Sequence, residues 1–495
     1  MRTVVKGEVG NRFTRLVYPF PDDLSDEFIF RPKDYYWQMK RRRGWDGYIR
    51  LMKGSLVPSG LFLHRYKQIE RERKLHFRLR DLRRHVQFKV DSLEGFQLPN
   101  KSIEIWEHQS LAVERMMKRS NIGGIILNAT GSGKTMIAAI YFAIMEGSGI
   151  FVVDELTLLY QTKEAFESAL QEEIGVIGDQ EFDPKRITVA TIQTLHKYRQ
   201  SKIMKDLGNN CSAMFLDELH LQLNERTRAT LKLLQPRGVF GLTATLELQK
   251  DYALFPALAL SGPVVYNYPY EKGVREEKLS PGTVVAVDVM RHINFEEGEL
   301  EELPYTVLYG EYLVMSPERN EAIFALAREA FRRGKRTAIL VDRIAHIELI
   351  MDELADLNPQ AIYGAVPAKV RNRARKDFDA GKVPLLVCNR VFRKGVDIKS
   401  LDVIIEAAGG RDGNDVKQKY GRGARIVSGK TGLIYFDIGD KAPTRGCNPF
   451  RDATLSRRRA LRELKVTVDP QLWRNNAGYL FDLAETRLKG LISTK

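Results

Sequence analysis

The segment that most limits how this chain can fold is Asn128-Ala129-Thr130-Gly131-Ser132-Gly133-Lys134-Thr135. An apolar run, Gly124-Ile125-Ile126-Leu127, precedes it, and the apolar helix-like stretch Met136-Ile137-Ala138-Ala139-Ile140 follows. A strand that turns into a helix through a glycine-rich loop directs backbone N–H groups inward at the positive end of the helix, which suits phosphate. Thr130, Gly131, Ser132, Gly133, Lys134 and Thr135 form this cradle. Lys134 is placed to reach the β- and γ-phosphates of a nucleotide, and the Thr135 hydroxyl can ligate Mg²⁺. The strict pattern opens with glycine where Asn128 stands, and asparagine tolerates left-handed backbone angles better than most residues.

The rest of the chain repeats the strand–helix rhythm. Ile150–Val153, Ile187–Ala190, Met214–Leu216 and Val239–Leu242 are short apolar runs separated by longer helical stretches, a pattern that predicts a parallel sheet covered on both faces. The stretch 262–310 breaks the rhythm with Pro, Gly and a run of glutamates over 296–302 and reads as a connector with extended segments. The alternation then resumes at Ser316-Pro317-Glu318, a helix start with Ser as N-cap. Strands are expected at Thr337–Val341, Leu385–Val387, Val403–Ile405 and Gly432–Phe436. The chain therefore divides into a small mixed domain over 1–100, an α/β unit over 101–265, a connector over 266–310, a second α/β unit over 311–440 and a basic, helical tail over 441–495. In the first of these, Asp46-Gly47 marks a turn ahead of a strand-like run, and Pro58-Ser59-Gly60 a second turn.

Strand Met214-Phe215-Leu216 runs into Asp217-Glu218-Leu219-His220, 83 residues after Lys134. Acids at the C-terminal end of a parallel strand stand at the ligand edge of the sheet. Asp217 is expected to hold Mg²⁺, and Glu218 to orient or deprotonate a water attacking the γ-phosphate. Thr243-Ala244-Thr245 ends another strand and offers hydroxyls that could link to Glu218. Gln109, upstream in Trp106-Glu107-His108-Gln109, can pair two ways with an adenine edge, although a surface helix glutamine would look the same. In the second unit Gln418, Arg422 and Arg425 are spaced i, i+4 and i+7, one face of a helix. Guanidinium groups there can stabilise charge on a transferring phosphoryl group. Gly395-Val396-Asp397 would complete the same nucleotide site.

Charge adds a partner. The 495 residues carry 78 Lys+Arg against 63 Asp+Glu, a net +15. Residues 31–90 alone hold 18 Lys/Arg and 5 Asp/Glu, which is +13 and leaves +2 for everything else. Tyr35, Tyr36, Trp37, Trp45, Tyr48 and Tyr66 lie within that segment, so cations for phosphates are interleaved with rings for bases. A membrane surface is the weaker partner, because the segment lacks an obvious amphipathic helix. No run of apolar residues is long enough for a transmembrane helix, and the N-terminus lacks the apolar region of a signal peptide. Cys211, Cys388 and Cys447 are too far apart for a disulfide framework or zinc site, which points to a reducing, cytoplasmic setting.

Taken together, these residues resemble those of superfamily 2 helicases. Gln109 looks like the adenine-reading glutamine and Gly131–Thr135 like motif I. Asp217-Glu218-Leu219-His220 is similar to the DExH form of motif II, and Thr243-Ala244-Thr245 to motif III. Gly395-Val396-Asp397 is similar to motif V, and Gln418-x-x-Gly421-Arg422-x-x-Arg425 to motif VI. The resemblance implies two tandem RecA-like domains with ATP and Mg²⁺ bound in the cleft they form, preceded by the small basic α+β domain. Within that superfamily, Trp45-Asp46-Gly47-Tyr48-Ile49-Arg50-Leu51 and Pro58-Ser59-Gly60-Leu61 resemble the N-terminal domain of the UvsW-type branch-migration helicases of tailed phages. Two positions depart from the pattern: Asp154-Glu155 stand where motif Ia usually has Pro-Thr, and Cys388-Asn389-Arg390 where motif V opens with Thr or Ser. Both bear on the grip on nucleic acid rather than on hydrolysis.

The expectation is an ATP-dependent DNA helicase or translocase acting on forked and four-way DNA in replication, recombination and repair. An RNA helicase or single-strand repair helicase remains open, since no residue reads a 2′-hydroxyl. A nucleotide-switched annealing module would not need Glu218, Arg422 or Arg425. The basic tail, with Arg451, Arg457, Arg458, Arg459 and Arg462, could contact duplex or form a solvated helical face.

Overall fold

The computed structural model describes residues 3–42, 44–246, 249–290, 304–389, 398, 400–427, 429–441 and 450–493. Met1–Ala129 and Gly133–Tyr268 make one compact unit, and Pro269–Lys495 makes the other, with Thr130–Ser132 grouped with the latter.

The first unit begins with a four-stranded mixed sheet ordered Leu56–Pro58, Phe13–Val17, Thr3–Val9, Leu75–Asp81. Thr3–Val9 is antiparallel to Phe13–Val17 and parallel to Leu75–Asp81. A parallel pair needs a crossover, and the helix Ser59–Glu72 supplies it. Pro58-Ser59-Gly60, expected as a turn, is where that helix starts. Gly60 is there for contact: an added Cβ would lie 2.3 Å from the Leu258 carbonyl oxygen on helix Asp251–Ser261. Leu61, Phe62 and Phe77 accordingly share one core with Phe255 and Leu258. The basic segment 31–90 is therefore not a detachable arm, since Leu51, Val57, Leu61, Phe62, Ile69, Leu75 and Phe77 are all buried. The Asp46-Gly47 turn forms as expected. Gly47 takes φ +82°, and the Tyr48 N–H donates to Asp46 Oδ1 at 3.0 Å. The strand that follows, Ile49–Arg50, pairs antiparallel with Ile29–Phe30.

The same unit contains an eight-stranded sheet ordered Glu181–Asp183, Gly175–Gly178, Ile187–Thr191, Ser148–Val153, Cys211–Leu216, Gly238–Thr243, Gly123–Asn128, Val264–Tyr268. All neighbours are parallel except the pair at the Glu181–Asp183 edge. Cys211–Leu216 and Gly238–Thr243 are buried at every position, as strands covered by helices on both faces must be.

The second unit is built on a seven-stranded, all-parallel sheet. Its order is Gln360–Ile362, Leu385–Cys388, Thr337–Leu340, Val403–Glu406, Leu433–Lys441, Gly282–Met290, Val468–Leu472. Ser316 caps helix Pro317–Arg332 as expected, accepting from the Arg319 N–H at 3.4 Å. Two expectations need correction. Gly282–Met290, assigned to the connector, is an inner strand. The stretch assigned to a tail supplies helix Arg451–Glu463, the edge strand Val468–Leu472 and helix Ala477–Ser493. Leu480, Phe481 and Leu488 of the last helix join the core of Val285, Ile434 and Phe436. Nor are Arg457 and Arg458 free for duplex. Arg457 Nε donates to Asp437 Oδ1 at 2.7 Å and Arg458 Nε to Asp437 Oδ2 at 3.0 Å, all buried.

Among the described residues, no helix is long and apolar enough to cross a membrane. Cys211 and Cys388 are buried free thiols, and Cys447 lies outside the described residues.

The two buried guanidinium groups on Asp437 give a stability prediction. Asp437→Ala leaves both without their shared counter-charge and should destabilise the second unit by about 3–5 kcal/mol in urea unfolding. Burial alone would raise the Asp437 pKa, but Arg457 and Arg458 outweigh it and hold the carboxyl below its ordinary range. Its contribution is thus complete above the ordinary carboxylate pKa and is lost as acid titrates below it.

Candidate nucleotide-binding site

Strands Cys211–Leu216, Gly238–Thr243 and Gly123–Asn128 are adjacent and parallel, so their C-terminal ends bring residues 217–220, 243–245 and 128–135 to one sheet edge. Gly131 and Gly133 take φ +88° and +82°, the left-handed region where a side chain would be strained. Helix Lys134–Ile144 begins directly after Gly133. Its apolar residues Ile137, Ala138, Ile140 and Tyr141 are buried, which anchors the loop from behind. Asn128 does not use a left-handed conformation. It is the last residue of its strand, in register with Tyr268. Its side-chain amide is buried with neither polar atom hydrogen-bonded, and its carbonyl oxygen lies 3.5 Å from Lys134 Nζ.

Gln109 is buried rather than on a surface. Its Oε1 accepts from the Trp106 N–H at 3.0 Å, capping helix Glu107–Met117, and its Nε2 sits against the loop. A Cβ on Gly133 would lie 2.4 Å from that nitrogen. The neighbouring His108 stacks on Tyr268 at 3.9 Å between ring centroids, tying this helix to the edge strand.

The acids stand where the chain leaves its strand. The Asp217 N–H still donates to the Val152 carbonyl at 2.9 Å, whereas Glu218 adopts a left-handed conformation with φ +44°. For a residue with a side chain this costs on the order of 1–3 kcal/mol and requires surrounding structure to hold it. Glu218 Oε1 lies 3.8 Å from Lys134 Nζ, and its Oε2 lies 3.5 Å from His220 Nδ1. His220 Nδ1 is also 3.0 Å from Thr243 Oγ1. Thr243 Oγ1 donates to the Thr245 carbonyl at 3.0 Å, and the Thr245 N–H donates back at 3.2 Å. The hydroxyl has one proton and has given it to Thr245, so His220 Nδ1 is the donor in its contact with Thr243. With that proton turned to Thr243, Glu218 Oε2 is buried without a hydrogen bond, so His220 joins Thr243 and only lies beside Glu218. His220 is not among the site residues expected from the sequence. Its position two residues after Glu218 was the available signal.

The donors present suit a magnesium nucleotide. Among the described residues no cluster of three or more His, Cys, Asp or Glu could hold a metal alone. Mg²⁺ prefers one or two protein oxygens completed by phosphates and water, and the oxygens expected to serve it are those of Thr135 and Asp217.

In the second unit, helix Gly413–Gly423 carries Gln418 and Arg422 one turn apart, while Arg425 lies beyond its end. The expected single helical face therefore covers two of the three residues. Gly423 ends the helix against the sheet, where a Cβ would lie 2.7 Å from Leu433 Cδ1. The segment is pinned by the Ser280 N–H donating to the Ala424 carbonyl at 2.7 Å and Ser280 Oγ to the Arg425 carbonyl at 2.8 Å. Burial lowers the Arg425 pKa, opposed by Asp379. Within the helix, buried Lys419 pairs with Glu406 at 2.8 Å and Asp415 at 3.0 Å, fixing its rotation on the sheet. Gly395 and Asp397, with Arg390, lie outside the described residues.

Comparison with known proteins agrees with this geometry. Residues 102–248 match the family described as type III restriction enzyme, res subunit, and residues 318–427 match the helicase conserved C-terminal domain. The chain is 31% identical over 237 residues to the DNA 3'-5' translocase XPB2 of Sulfurisphaera tokodaii, covering 46% of this chain and 52% of that protein. It therefore spans about half the length of that relative. It is 23% identical over 456 residues to the ATP-dependent DNA helicase uvsW of Enterobacteria phage T4, covering 85% of this chain and 87% of that one. The solved structure of S. cerevisiae Dbp5 bound to RNA and ADP BeF3 shares the fold, with a TM-score of 0.57 at 13% identity over 81% of this chain and 100% of that one. Over residues 102–248 and 318–427 this chain is thus similar to proteins that carry these two domains.

Gly133→Ala tests the cradle itself. The substitution combines a left-handed backbone with a collision against Gln109 and should lower stability by about 1–2 kcal/mol, read from the thermal unfolding midpoint.

Proposed function

We propose that this chain is an ATP-dependent DNA translocase that unwinds or branch-migrates forked and four-way DNA. The observation that carries the chemistry is the 3.8 Å approach of Lys134 to a Glu218 held in a left-handed turn. The DNA partner is supported by the net +13 on residues 31–90 and by the relatives named as a DNA helicase and a DNA translocase.

In this reading the backbone of Thr130–Gly133 and the Lys134 ammonium bind the phosphates. Gln109 contributes on the adenine side, and Thr135 and Asp217 hold Mg²⁺, which neutralises phosphate charge when bound. Glu218 orients the attacking water and takes its proton, with Lys134 exchanging the carboxylate for phosphate as nucleotide enters. Gln418 helps position the nucleotide, and Arg422 and Arg425 meet the charge that develops on the γ-phosphate. Gly395 and Asp397 are assigned to the same nucleotide site. His220, bonded to Thr243, lies beside Glu218 at the end of strand Gly238–Thr243. The protein acts in the cytoplasm of a bacterial or phage-infected cell.

The test is ATP turnover and strand separation on forked DNA, four-way DNA, blunt duplex and RNA duplex. Glu218→Gln should bind nucleotide like the wild type while turnover falls by at least about 10²-fold. Lys134→Ala should lose nucleotide affinity. Turnover at the wild-type rate in Glu218→Gln would remove the assigned base, and preference for RNA duplex would remove the DNA reading.

A further inference from the structure

Helix Tyr35–Arg41 has no buried residue. Its aromatic side chains face solvent: Tyr36 is 55% and Trp37 64% exposed, with Met39 at 42%. Core packing does not explain them. Tyr35 and Met39 lean on the Asp46-Gly47 turn, where a Cβ at Gly47 would lie 3.1 Å from Met39 Sδ and 3.6 Å from Tyr35 Cδ2. Tyr36, Trp37 and Lys40 are left on the open side. The Tyr36 and Trp37 rings meet edge-on at 5.6 Å, and Lys40 Nζ lies 4.6 Å and 5.2 Å from their centroids. Residues 31–45 contain six Lys/Arg and one acid, Asp34, which is turned to Gln38 at 2.8 Å.

An exposed ring pair with a cation already against its faces, in a field of one sign, has the chemistry of a surface that stacks bases while its neighbours hold phosphates. We propose that Tyr36 and Trp37 form a stacking platform for unpaired bases of DNA, with Lys40, Arg41 and Arg42 engaging the adjacent phosphates. This rests on the DNA reading above and narrows it. The basic segment does not only grip duplex, because it also receives bases that have left the stack at a fork or junction. Stacking on either ring is sequence-tolerant, since every base has a π-face. The platform would stabilise the opened state of the substrate, and blunt duplex has no unpaired base to offer it.

The experiment measures affinity of the full chain for a fork with single-stranded arms and for blunt duplex of equal paired length, in wild type, Trp37→Ala and Trp37→Phe. Trp37→Ala should weaken fork binding at least about fivefold and change duplex binding less than about twofold. The salt slope should be unaltered, because no phosphate contact is removed. Trp37→Phe should restore most of the loss, and an unchanged thermal midpoint in Trp37→Ala would show that the fold is intact. Wild-type fork affinity in Trp37→Ala overturns the platform while leaving the DNA reading standing, as does an equal loss on fork and duplex. A wild-type chain that binds no DNA overturns both. Retention on anionic phospholipid vesicles that Trp37→Ala abolishes, with DNA binding unchanged, would assign the rings to a membrane instead and also overturns it.

Discussion

The arrangement depends on holding a carboxylate and an ammonium group 3.8 Å apart at the end of a parallel sheet. Neither group is positioned by its own preference. Lys134 is the first residue of a helix whose apolar face is buried, and Gly133 ahead of it takes an angle that a side chain resists. Glu218 sits in a strained left-handed conformation two residues after a fully buried strand ends, with His220 beside it. The strain is tolerable because three adjacent strands end at the same level, which leaves the two groups little freedom to separate. On the proposed function, phosphate entering beside the lysine competes with the acid for it.

The N-terminal domain is joined to the eight-stranded-sheet domain through a shared core rather than a linker. Gly60 permits helix Ser59–Glu72 to approach helix Asp251–Ser261 closely, and Phe255 and Leu258 pack among Leu61, Phe62 and Phe77. Arg12 reinforces the join by donating to the Leu260 carbonyl at 2.9 Å, and its burial lowers its pKa to about 9. The basic residues 31–90 are thereby carried on a surface rigidly tied to the domain that holds Lys134 and Glu218. Movement of that domain moves the charged surface with it.

What could be read from the sequence was whatever chemistry is written locally. The glycine loop, the acids after Met214-Phe215-Leu216, the Ser316 cap and the Asp46-Gly47 turn each depend on a few adjacent residues, and each forms. Long-range pairing was not legible. Arg457 and Arg458 read as solvated charge because their partner Asp437 lies 20 and 21 residues earlier on an inner strand. Gly282–Met290 was hidden by its Pro, Gly and acidic surroundings, although it is flanked on both sides in the sheet. Pro58-Ser59-Gly60 looked like a turn because its glycine serves a helix crossing rather than a bend. Gln109 was singled out for its side-chain amide, but the cap it provides to helix Glu107–Met117 was not legible. His220 was visible in the motif, but its contact with Thr243 joins two strands and could not be read along the chain.

The measurement that bears most directly on this account is steady-state hydrolysis of ATP by the full chain in Mg²⁺, with and without forked DNA. A nucleotide site coupled to a basic DNA-gripping surface predicts turnover that rises when forked DNA is added and vanishes when Mg²⁺ is chelated. Turnover indifferent to every nucleic acid offered, or absent altogether, would contradict it.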